Sequence, residues 1–252
     1  MTSALPLQPL LIGDSQITIT ATGQRLRHAP TTASHYTNAQ LDDYQGLPRA
    51  HFPWRPPLTL TLRARFSHEA HALRGTAGFG FWNNPFMMGT QRWPTLPRAL
   101  WFFFSAPPSD MALALDVPGP GWKAATIDAW RWPFLALAPT VPIAMPLMRL
   151  RAFYRRLWPI GQRAIGVHEA LVDLEMTDWH TYRIEWGIKA ARFLVDGHPV
   201  LACDQPPRGP LGLVIWKDNQ AMSVAPWRLP RHQVVACATA QWLEIADLSI
   251  GT

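Results

Sequence analysis

The composition of the chain indicates a folded protein with a sizeable core. Of its 252 residues, 48% are hydrophobic and only 16% are charged, which excludes wholesale disorder. The formal net charge is +6, but no dense run of basic residues occurs outside residues 149–163, so we expect no nucleic-acid partner. The N-terminus has no basic region ahead of a long apolar run. We therefore expect no signal peptide and a cytoplasmic location.

The cysteines and histidines show no metal-binding pattern. Cys203 and Cys237 lack the spacing of a zinc site and are too few for a disulfide framework, so we expect two small buried side chains. The nine histidines form neither H-x-H nor H-E-x-x-H, and no phosphate loop or dinucleotide fingerprint occurs. The sequence therefore predicts no metal and no cofactor.

The first 57 residues predict an N-terminal arm and a long loop around one short strand. Residues 1–15 are typical of an arm, and residues 16–22 alternate isoleucine with threonine as a strand does. Residues 23–57 are polar, contain prolines and show no strand pattern. A loop of this length usually has a function, and we expect it to cover a sheet edge or a cleft.

Alternation of apolar and polar side chains predicts a series of strands after residue 56. Residues 57–67 place apolar side chains on one face and threonines and arginines on the other. Residues 98–105 (RALWFFFS) are apolar on both faces, as a central buried strand is. We predict about ten or eleven strands in all, the others including residues 75–84, 111–117, 122–129, 167–176, 211–216 and 240–250.

Residues 130–163 differ from the rest and predict an insert. Four prolines interrupt an apolar run, and residues 147–158 then have the period of an amphipathic helix of about three turns. Its apolar face carries Leu147, Leu150, Tyr154 and Leu157, with four arginines elsewhere. One interpretation is a helix that docks on a membrane or a partner protein. The other, which we favour, places it over one end of the fold with its arginines in water.

Residues 178–200 predict a meander of three strands that fixes the architecture. His180, Tyr182, Ile184 and Trp186 alternate with the residues between them. Asp196-Gly197 supplies the positive φ that a two-residue hairpin needs. No internal repeat or composition break is visible. We therefore interpret residues 1–252 as a single all-β domain, an antiparallel two-sheet jelly-roll sandwich with one helical insert.

The order of elements resembles the concanavalin A-like lectin/glucanase superfamily and, within it, the family-sixteen glycoside hydrolases. Residues 179–186 (WHTYRIEW) followed by residues 193–197 (FLVDG) are similar to that family's meander. Residues 62–66, 78–82 and 242–250 look like its first sheet strand, its A-F-W strand and its closing strand. The resemblance covers roughly residues 56–250. It implies a lectin/glucanase-like sandwich with a concave sheet that binds sugars.

The strand that carries the family's catalytic groups is the point of departure. Family members place their carboxylates there as E-x-D-x-x-E, whereas the matching residues 98–105 contain no carboxylate. The resemblance therefore supplies no catalytic residue, and we expect the hydrolase mechanism to be absent. Ala99, Trp101 and Phe103 share the face in question. If that face lines the cleft, its floor is aromatic; if it faces the core, the strand is only well packed.

Polar residues that end two apolar strands are the candidate ligand-binding groups. Tryptophan rings stack on sugars, and amides and carboxylates bind hydroxyls. Residues 82–84 (WNN) and 216–220 (WKDNQ) combine these groups, and residues 54–55 could close the same cleft. The alternative is that the tryptophans fill the core and the amides satisfy loop backbone. The candidates are Trp54, Arg55, Trp82, Asn83, Asn84, Trp101, Trp216, Asp218, Asn219 and Gln220.

Three functions remain open from the sequence. The first, which the missing carboxylates favour, is a non-catalytic protein that binds a carbohydrate or a small amphipathic ligand. The second is an atypical glycoside hydrolase or another enzyme that uses Asp218 with Asp42 or Asp43. A reactive or cation-binding row of Glu169, Asp173 and Glu175 is also conceivable, although such rows are more commonly solvated. The third is docking on a membrane or protein through residues 133–163, with residues 147–158 as the peripheral contact.

Overall fold

A computed structural model of the protein describes residues 7–86, 91–111, 113–223 and 231–251. Its main elements are two seven-stranded antiparallel sheets. The strands are β1 (Gln8–Ile12), β2 (Ser15–Ile19), β3 (Gln24–His28), β4 (Asn38–Asp42), β5 (Leu58–Phe66), β6 (Thr76–Trp82), β7 (Arg98–Ser105), β8 (Gly121–Asp128), β9 (His168–Leu171), β10 (His180–Trp186), β11 (Ala190–Val195), β12 (His198–Asp204), β13 (Gly212–Asp218), β14 (Gln220–Ser223), β15 (Arg231–Val234) and β16 (Gln241–Gly251).

The strand order defines two sheets and a small ribbon. Sheet A has the order β1-β4-β13-β6-β7-β8-β9, and sheet B has the order β12-β11-β10-β5-β16-β3-β2. Strands β14 and β15 form a separate two-stranded ribbon. The predicted all-β sandwich of two antiparallel sheets is therefore confirmed.

The core lies between the inner faces of the two sheets, as the alternation in the sequence predicts. In β5, every second side chain from Leu58 to Phe66 is buried. From sheet A, the ring of Phe79 packs on Tyr182 of sheet B, with 5.1 Å between ring centroids. Phe102 packs on Phe193 in the same way at 5.4 Å. Each such aromatic ring, when fully buried, stabilises the fold by roughly 1.5–3 kcal/mol.

The outer face of sheet A is also covered, which distinguishes it from the outer face of sheet B. Strands β6 and β13 are buried on both faces. A second apolar cluster lies on that outer face and consists of Tyr44, Phe52, Trp82, Ala99, Phe103, Val214 and Trp216. This cluster forms the base of the candidate site.

The meander has the predicted geometry. Tyr182, Ile184 and Trp186 of β10 are buried, and β10 pairs with both β5 and β11. Asp196 and Gly197 have φ angles of 50° and 80°, as the tight turn between β11 and β12 requires. Cys203 and Cys237 are both buried and form no disulfide.

The helical insert is confirmed between β8 and β9, with different boundaries for its main helix. It consists of α1 (Trp132–Leu137), a 3₁₀ turn (Ala138–Thr140), α2 (Val141–Leu147) and α3 (Arg151–Ala164). The prediction of one helix over residues 147–158 is wrong at both ends, because Leu147 ends α2 and α3 continues past Pro159. Within the described ranges, no helix combines the length and apolar character needed to cross a bilayer.

Three other sequence predictions are wrong. The supposed arm and loop of residues 1–57 contain four strands, β1 to β4, and the 3₁₀ turn Arg49–His51. The strand predicted at residues 111–117 is not present in its described part, which forms bends beside the insert. Strand β9 ends at Leu171, so Asp173 and Glu175 do not extend a row from Glu169.

Candidate functional site

A cleft of about 450 Å³ lies on the outer face of sheet A. Strands β4, β13, β6 and β7 supply its floor, and residues before β4, after β7 and in the β14–β15 ribbon supply its rim. The lining residues are Tyr36, Asn38, Gln40, Thr76, Trp82, Phe86, Trp101, Phe103, Met111, Val214, Trp216, Asp218, Gln220, Met222 and His232.

Two glycines in the central strand make room for the tryptophans. A Cβ atom at Gly78 would lie 2.8 Å from Cη2 of Trp216, and a Cβ atom at Gly80 would lie 2.8 Å from Cβ of Trp101. Gly80 also has a φ of 147°, which other residues rarely adopt. The bare backbone of β6 therefore lets large side chains from β13 and β7 cover it, which is the close approach expected for glycine in a strand.

The aromatic side chains form one continuous group. The ring of Trp101 lies between those of Trp82 and Trp216, with centroid distances of 6.0 Å and 5.6 Å. Phe103 stacks on Trp101 at 5.3 Å, and Phe86 extends the group beyond Trp82 at 6.1 Å. The face of β7 that lacks carboxylates therefore lines the cleft, and its aromatic residues form part of the cleft floor.

Thr76 links Trp216 to Asp218. The hydroxyl of Thr76 accepts a hydrogen bond from Nε1 of Trp216 at 2.9 Å and donates one to Oδ1 of Asp218 at 2.8 Å. The same Oδ1 accepts from the backbone N–H groups of Thr76 and Gln220. Burial raises the pKa of Asp218, while these hydrogen bonds and the Lys217 ammonium oppose the rise. These hydrogen bonds hold the side chains of Trp216 and Asp218 in fixed positions.

Asn38 and Asp218 are paired across β4 and β13 and present a donor and an acceptor. The amide Nδ2 of Asn38 is buried and has no hydrogen-bond partner among the described residues. Hydrogen bonds between described residues engage only Oδ1 of Asp218, which leaves Oδ2 as an acceptor. A buried donor without a partner is costly. Hydroxyl groups, which both donate and accept, suit such a pair.

A second polar network supports the other end of the cleft. Nε1 of Trp82 donates to the Tyr44 hydroxyl at 2.7 Å, and Nε2 of Gln40 donates to the same hydroxyl at 3.3 Å. Gln40 also donates to Asp42 at 2.8 Å. Burial raises the pKa of Asp42, and the hydrogen bonds it accepts oppose the rise. These bonds fix the orientation of the Trp82 ring.

The structure brings half of the predicted site residues into the cleft. Trp82, Trp101, Trp216, Asp218 and Gln220 line it. The other five predicted residues lie outside it.

Asn83 and Asn84 organise the loop after β6 and do not line the cleft. The Asn83 side chain donates to the carbonyl of Leu96 at 2.9 Å and accepts from the backbone N–H of Arg98 at 3.0 Å. The carbonyl of Asn84 accepts two hydrogen bonds from the Arg49 guanidinium. For Asn83, the alternative interpretation of an amide that satisfies loop backbone is therefore correct.

The Asn219 side chain also satisfies backbone groups of neighbouring segments. It is fully buried, and its Oδ1 accepts from the backbone N–H of Thr37 at 2.8 Å. Its Nδ2 donates to the carbonyls of His35 and Val235. Every polar atom of this side chain is used within the fold, so its prediction as a ligand contact is wrong.

Trp54 and Arg55 lie outside the cleft. The Trp54 ring packs against Phe81, an inner-face residue of β6, with centroids 6.2 Å apart. Its Nε1 donates to the Asp43 carboxylate, and burial raises the pKa of Asp43 to about 6. Arg55 is exposed and donates only a long hydrogen bond of 3.5 Å to Ala50. The prediction that this loop segment closes the cleft is therefore wrong.

The carboxylates offered as catalytic partners for Asp218 lie elsewhere. Asp218 pairs with Asn38 of β4. Asp42 lies four residues further along that strand, which separates it from Asp218 by about 13 Å. Asp43 is engaged by Trp54 and by the backbone N–H of Leu213. The predicted pairing of Asp218 with either residue is wrong. Among the described residues, no group of three or more histidine, cysteine, aspartate or glutamate side chains could hold a metal ion.

Lys123 and Glu169 form a buried ion pair on the same face of sheet A. Nζ of Lys123 lies 3.7 Å from Oε1 of Glu169, and Oε2 of Glu169 accepts from the backbone N–H of Ala114 at 3.1 Å. Burial lowers the pKa of Lys123 and raises that of Glu169. Neither lines the cleft. The pair anchors the segment after β7 to the sheet.

Sequence reasoning missed the contribution of the N-terminal region to the site. Tyr36, Asn38 and Gln40 line the cleft, although we assigned them to an irregular loop. A signal was available, because Ala39 and Leu41 alternate with the polar residues and lie in the inner core. The expectation that this region covers a cleft holds, but it does so partly as a strand.

The fold and site define an all-β, two-sheet protein with an aromatic cleft on the outer face of one sheet. No family model and no curated protein matches the sequence. Three solved structures are similar to this chain at a low level. They are the carbohydrate-binding module CBM66 from Bacillus subtilis (7% identity, TM-score 0.43, covering 100% of this chain and 99% of that chain), a putative beta-glucanase from Mycobacterium abscessus (11%, 0.44, 90% and 74%) and the alginate lyase AlyC3 (9%, 0.45, 90% and 74%). Similarity this low does not extend to function.

Proposed function

We propose that the protein is a non-catalytic, glucanase-like binding protein whose cleft takes a small amphipathic ligand with a sugar-like polar part. The observation that carries this proposal is the position of the Trp82, Trp101 and Trp216 rings beside the paired groups of Asn38 and Asp218. Such a site offers stacking surface and hydroxyl recognition together.

The aromatic part of the cleft supports an apolar or ring-shaped portion of the ligand. Aromatic side chains supply large contact areas, and a mostly apolar cleft with a few polar groups is typical of small-molecule sites. The volume of about 450 Å³ suits a molecule of drug-like size.

The polar part supports hydroxyl groups in the ligand. Nδ2 of Asn38 and Oδ2 of Asp218 provide one donor and one acceptor at neighbouring positions. A ligand hydroxyl would satisfy the amide that has no partner in the protein, and a site built this way discriminates against analogues that lack the hydroxyl.

Calorimetric titration with three matched compounds tests the proposal. Octyl glucoside below its micelle concentration carries both parts, methyl glucoside carries the sugar alone, and 1-octanol carries the chain alone. We expect octyl glucoside to bind more tightly than either of the others. If octanol bound as tightly as octyl glucoside, the cleft would not recognise a sugar-like group. If methyl glucoside bound as tightly as octyl glucoside, the cleft would not recognise an apolar group.

Two variants connect binding to the cleft. Trp101→Ala removes the central ring, and we expect it to weaken octyl glucoside binding at least tenfold, or about 1.4 kcal/mol. Trp93→Ala, at an exposed tryptophan outside the lining, is the matched control and should bind as the unmodified protein does. Binding that survives Trp101→Ala would place the ligand elsewhere.

A further inference from the structure

The helical insert has an unusual surface composition. Residues 129–168 contain arginine at positions 131, 149, 151, 155, 156 and 163 and no aspartate or glutamate. Ion pairs between described residues engage arginines elsewhere, such as Arg65 and Arg192, but include none of these six. The insert therefore presents positive charge that none of its own residues neutralises.

The same segment exposes large apolar side chains. Those most accessible to water are Trp132 (77%), Ile143 (69%), Leu150 (58%) and Ile160 (51%). A helix that merely capped the sandwich would bury its apolar face, yet Leu147 and Leu150 of the predicted face are exposed. Large apolar patches on a protein surface mark interaction sites.

The apolar and basic groups of α3 occupy different sides of the helix, as in helices that lie on membranes. Phe153, Leu157 and Ile160 fall on one side of the helix at spacings of three and four residues. Arg151 and Arg155 fall on the other side. The buried side chain of Tyr154 faces the protein, and Trp158 anchors the helix by a 2.8 Å hydrogen bond to the carbonyl of Leu113. The helix is thus fixed in place with both groups available.

Helix α1 extends this surface to a second, more polar cleft. Trp132 and Arg131 line a cleft of about 900 Å³ together with Lys189 and Arg208, and Asp128 and Asp204 are the acidic residues in its lining. Aromatic and basic side chains in this combination are typical of the contact zone between proteins and lipid headgroups.

We propose that the insert, residues 130–163, docks on the surface of an anionic phospholipid bilayer. Its exposed apolar side chains enter the boundary between headgroups and acyl chains, and its arginines contact the anionic headgroups. Charge complementarity selects this occupant over a neutral surface, because an acid-free segment with six arginines gains from every negative headgroup it meets. The inference is independent of the ligand in the cleft.

Co-sedimentation with vesicles tests this inference on the full chain. Vesicles of phosphatidylcholine with about one third phosphatidylserine should bind the protein, and vesicles of phosphatidylcholine alone should bind it far less. Each arginine near an anionic surface contributes a factor of about five to partitioning. Arg156 and Arg163 flank the apolar side of α3, so Arg156→Glu with Arg163→Glu should reduce binding by at least about 25-fold. Raising the salt concentration should also release the protein.

Matched variants separate docking from general charge and hydrophobicity. Arg55→Glu with Arg92→Glu makes the same charge change on exposed residues outside the insert and outside the second cleft, and its loss of binding should be several-fold smaller. Ile143→Ser with Leu150→Ser should weaken binding, whereas Ile19→Ser, at a still more exposed site on sheet B, should not. No binding to anionic vesicles, or equal loss in both charge variants, would overturn the inference. Self-association through Ile143 and Leu150 without vesicle binding would overturn it too.

Discussion

The indole of Trp216 lies over Gly78, the residue paired with it across β6 and β13. We predict that Gly78→Ala displaces the ring and fills the floor of the cleft. The new Cβ would also lie 2.3 Å from the carbonyl oxygen of Phe102, so the backbone must shift. We expect a loss of about 1–3 kcal/mol in the free energy of unfolding, together with loss of octyl glucoside binding.

Urea unfolding and calorimetric titration measure the two effects. Gly251→Ala is the control, because a Cβ there meets no other atom within 4 Å. It should change neither quantity. Normal ligand binding by Gly78→Ala would show that the floor of the cleft is not the binding surface.

Glu244 on the outer face of sheet B gives a prediction for stability at low pH. Burial opposes its ionisation, but hydrogen bonds from Thr20, Arg25, Arg65 and Thr22 outweigh burial and lower its pKa to about 2. Because the unfolded chain takes up this proton first, the stabilisation is complete above about pH 4.5 and is lost as the pH falls towards 2.

We expect Glu244→Gln to reduce the free energy of unfolding by about 2 kcal/mol at pH 7 and to flatten the decline between pH 4.5 and 2. Glu185→Gln is the comparison, since Glu185 pairs with Arg192 at 2.6 Å on the surface, where such pairs contribute about 0–1 kcal/mol. Chemical denaturation over this pH range measures both. An unchanged pH profile in Glu244→Gln would contradict the assignment.

His28 extends the acid sensitivity to higher pH. Burial and the nearby Lys217 ammonium lower its pKa from 6.5 to about 4. The unfolded chain therefore binds the proton before the folded protein does, and stability falls as the pH decreases from about 6.5 to 4. We expect about 2 kcal/mol less of that decline in His28→Gln. A histidine signal that titrates near 6.5 in NMR spectra of the folded protein and disappears in this variant would be inconsistent with the prediction.

The buried Lys123–Glu169 pair predicts strong coupling between its two members. Lys123→Met leaves the Glu169 carboxylate uncompensated and should cost about 3–5 kcal/mol. Adding Glu169→Gln removes the charge but keeps an acceptor for the Ala114 N–H, so the double variant should recover much of that loss. A double-mutant cycle in urea measures the coupling, and simple additivity of the two costs would refute it.

The sequence predicted the inner core well because burial there follows a strict period of two. Buried and more exposed side chains alternate along β5 (Leu58–Phe66) and β10 (His180–Trp186). The bounds predicted for both strands lie within two residues of the observed ones. Strand β4 also alternates, with Ala39 and Leu41 in the core, but its polar side chains are buried as well, which the sequence does not show. Asn38 and Gln40 face a cleft, so their polarity resembles that of a loop, and only tertiary contacts reveal their burial.

The candidate site was half predictable. The pattern of a tryptophan next to polar residues indicated three residues that line the cleft, Trp82, Trp216 and Asp218. The sequence could not separate amides that line a cleft from amides that fasten loops, because Asn38, Asn83 and Asn219 differ only in the direction and partners of their side chains.

Alternate residues of β13 face opposite sides of sheet A. Leu213 and Ile215 belong to the core between the sheets, whereas Val214, Trp216 and Asp218 belong to the cleft. Insertion or deletion of one residue would exchange these two sets and abolish folding and binding together. Homologues with other ligands should therefore diverge by substitution at positions 214, 216 and 218 while conserving the length of this strand.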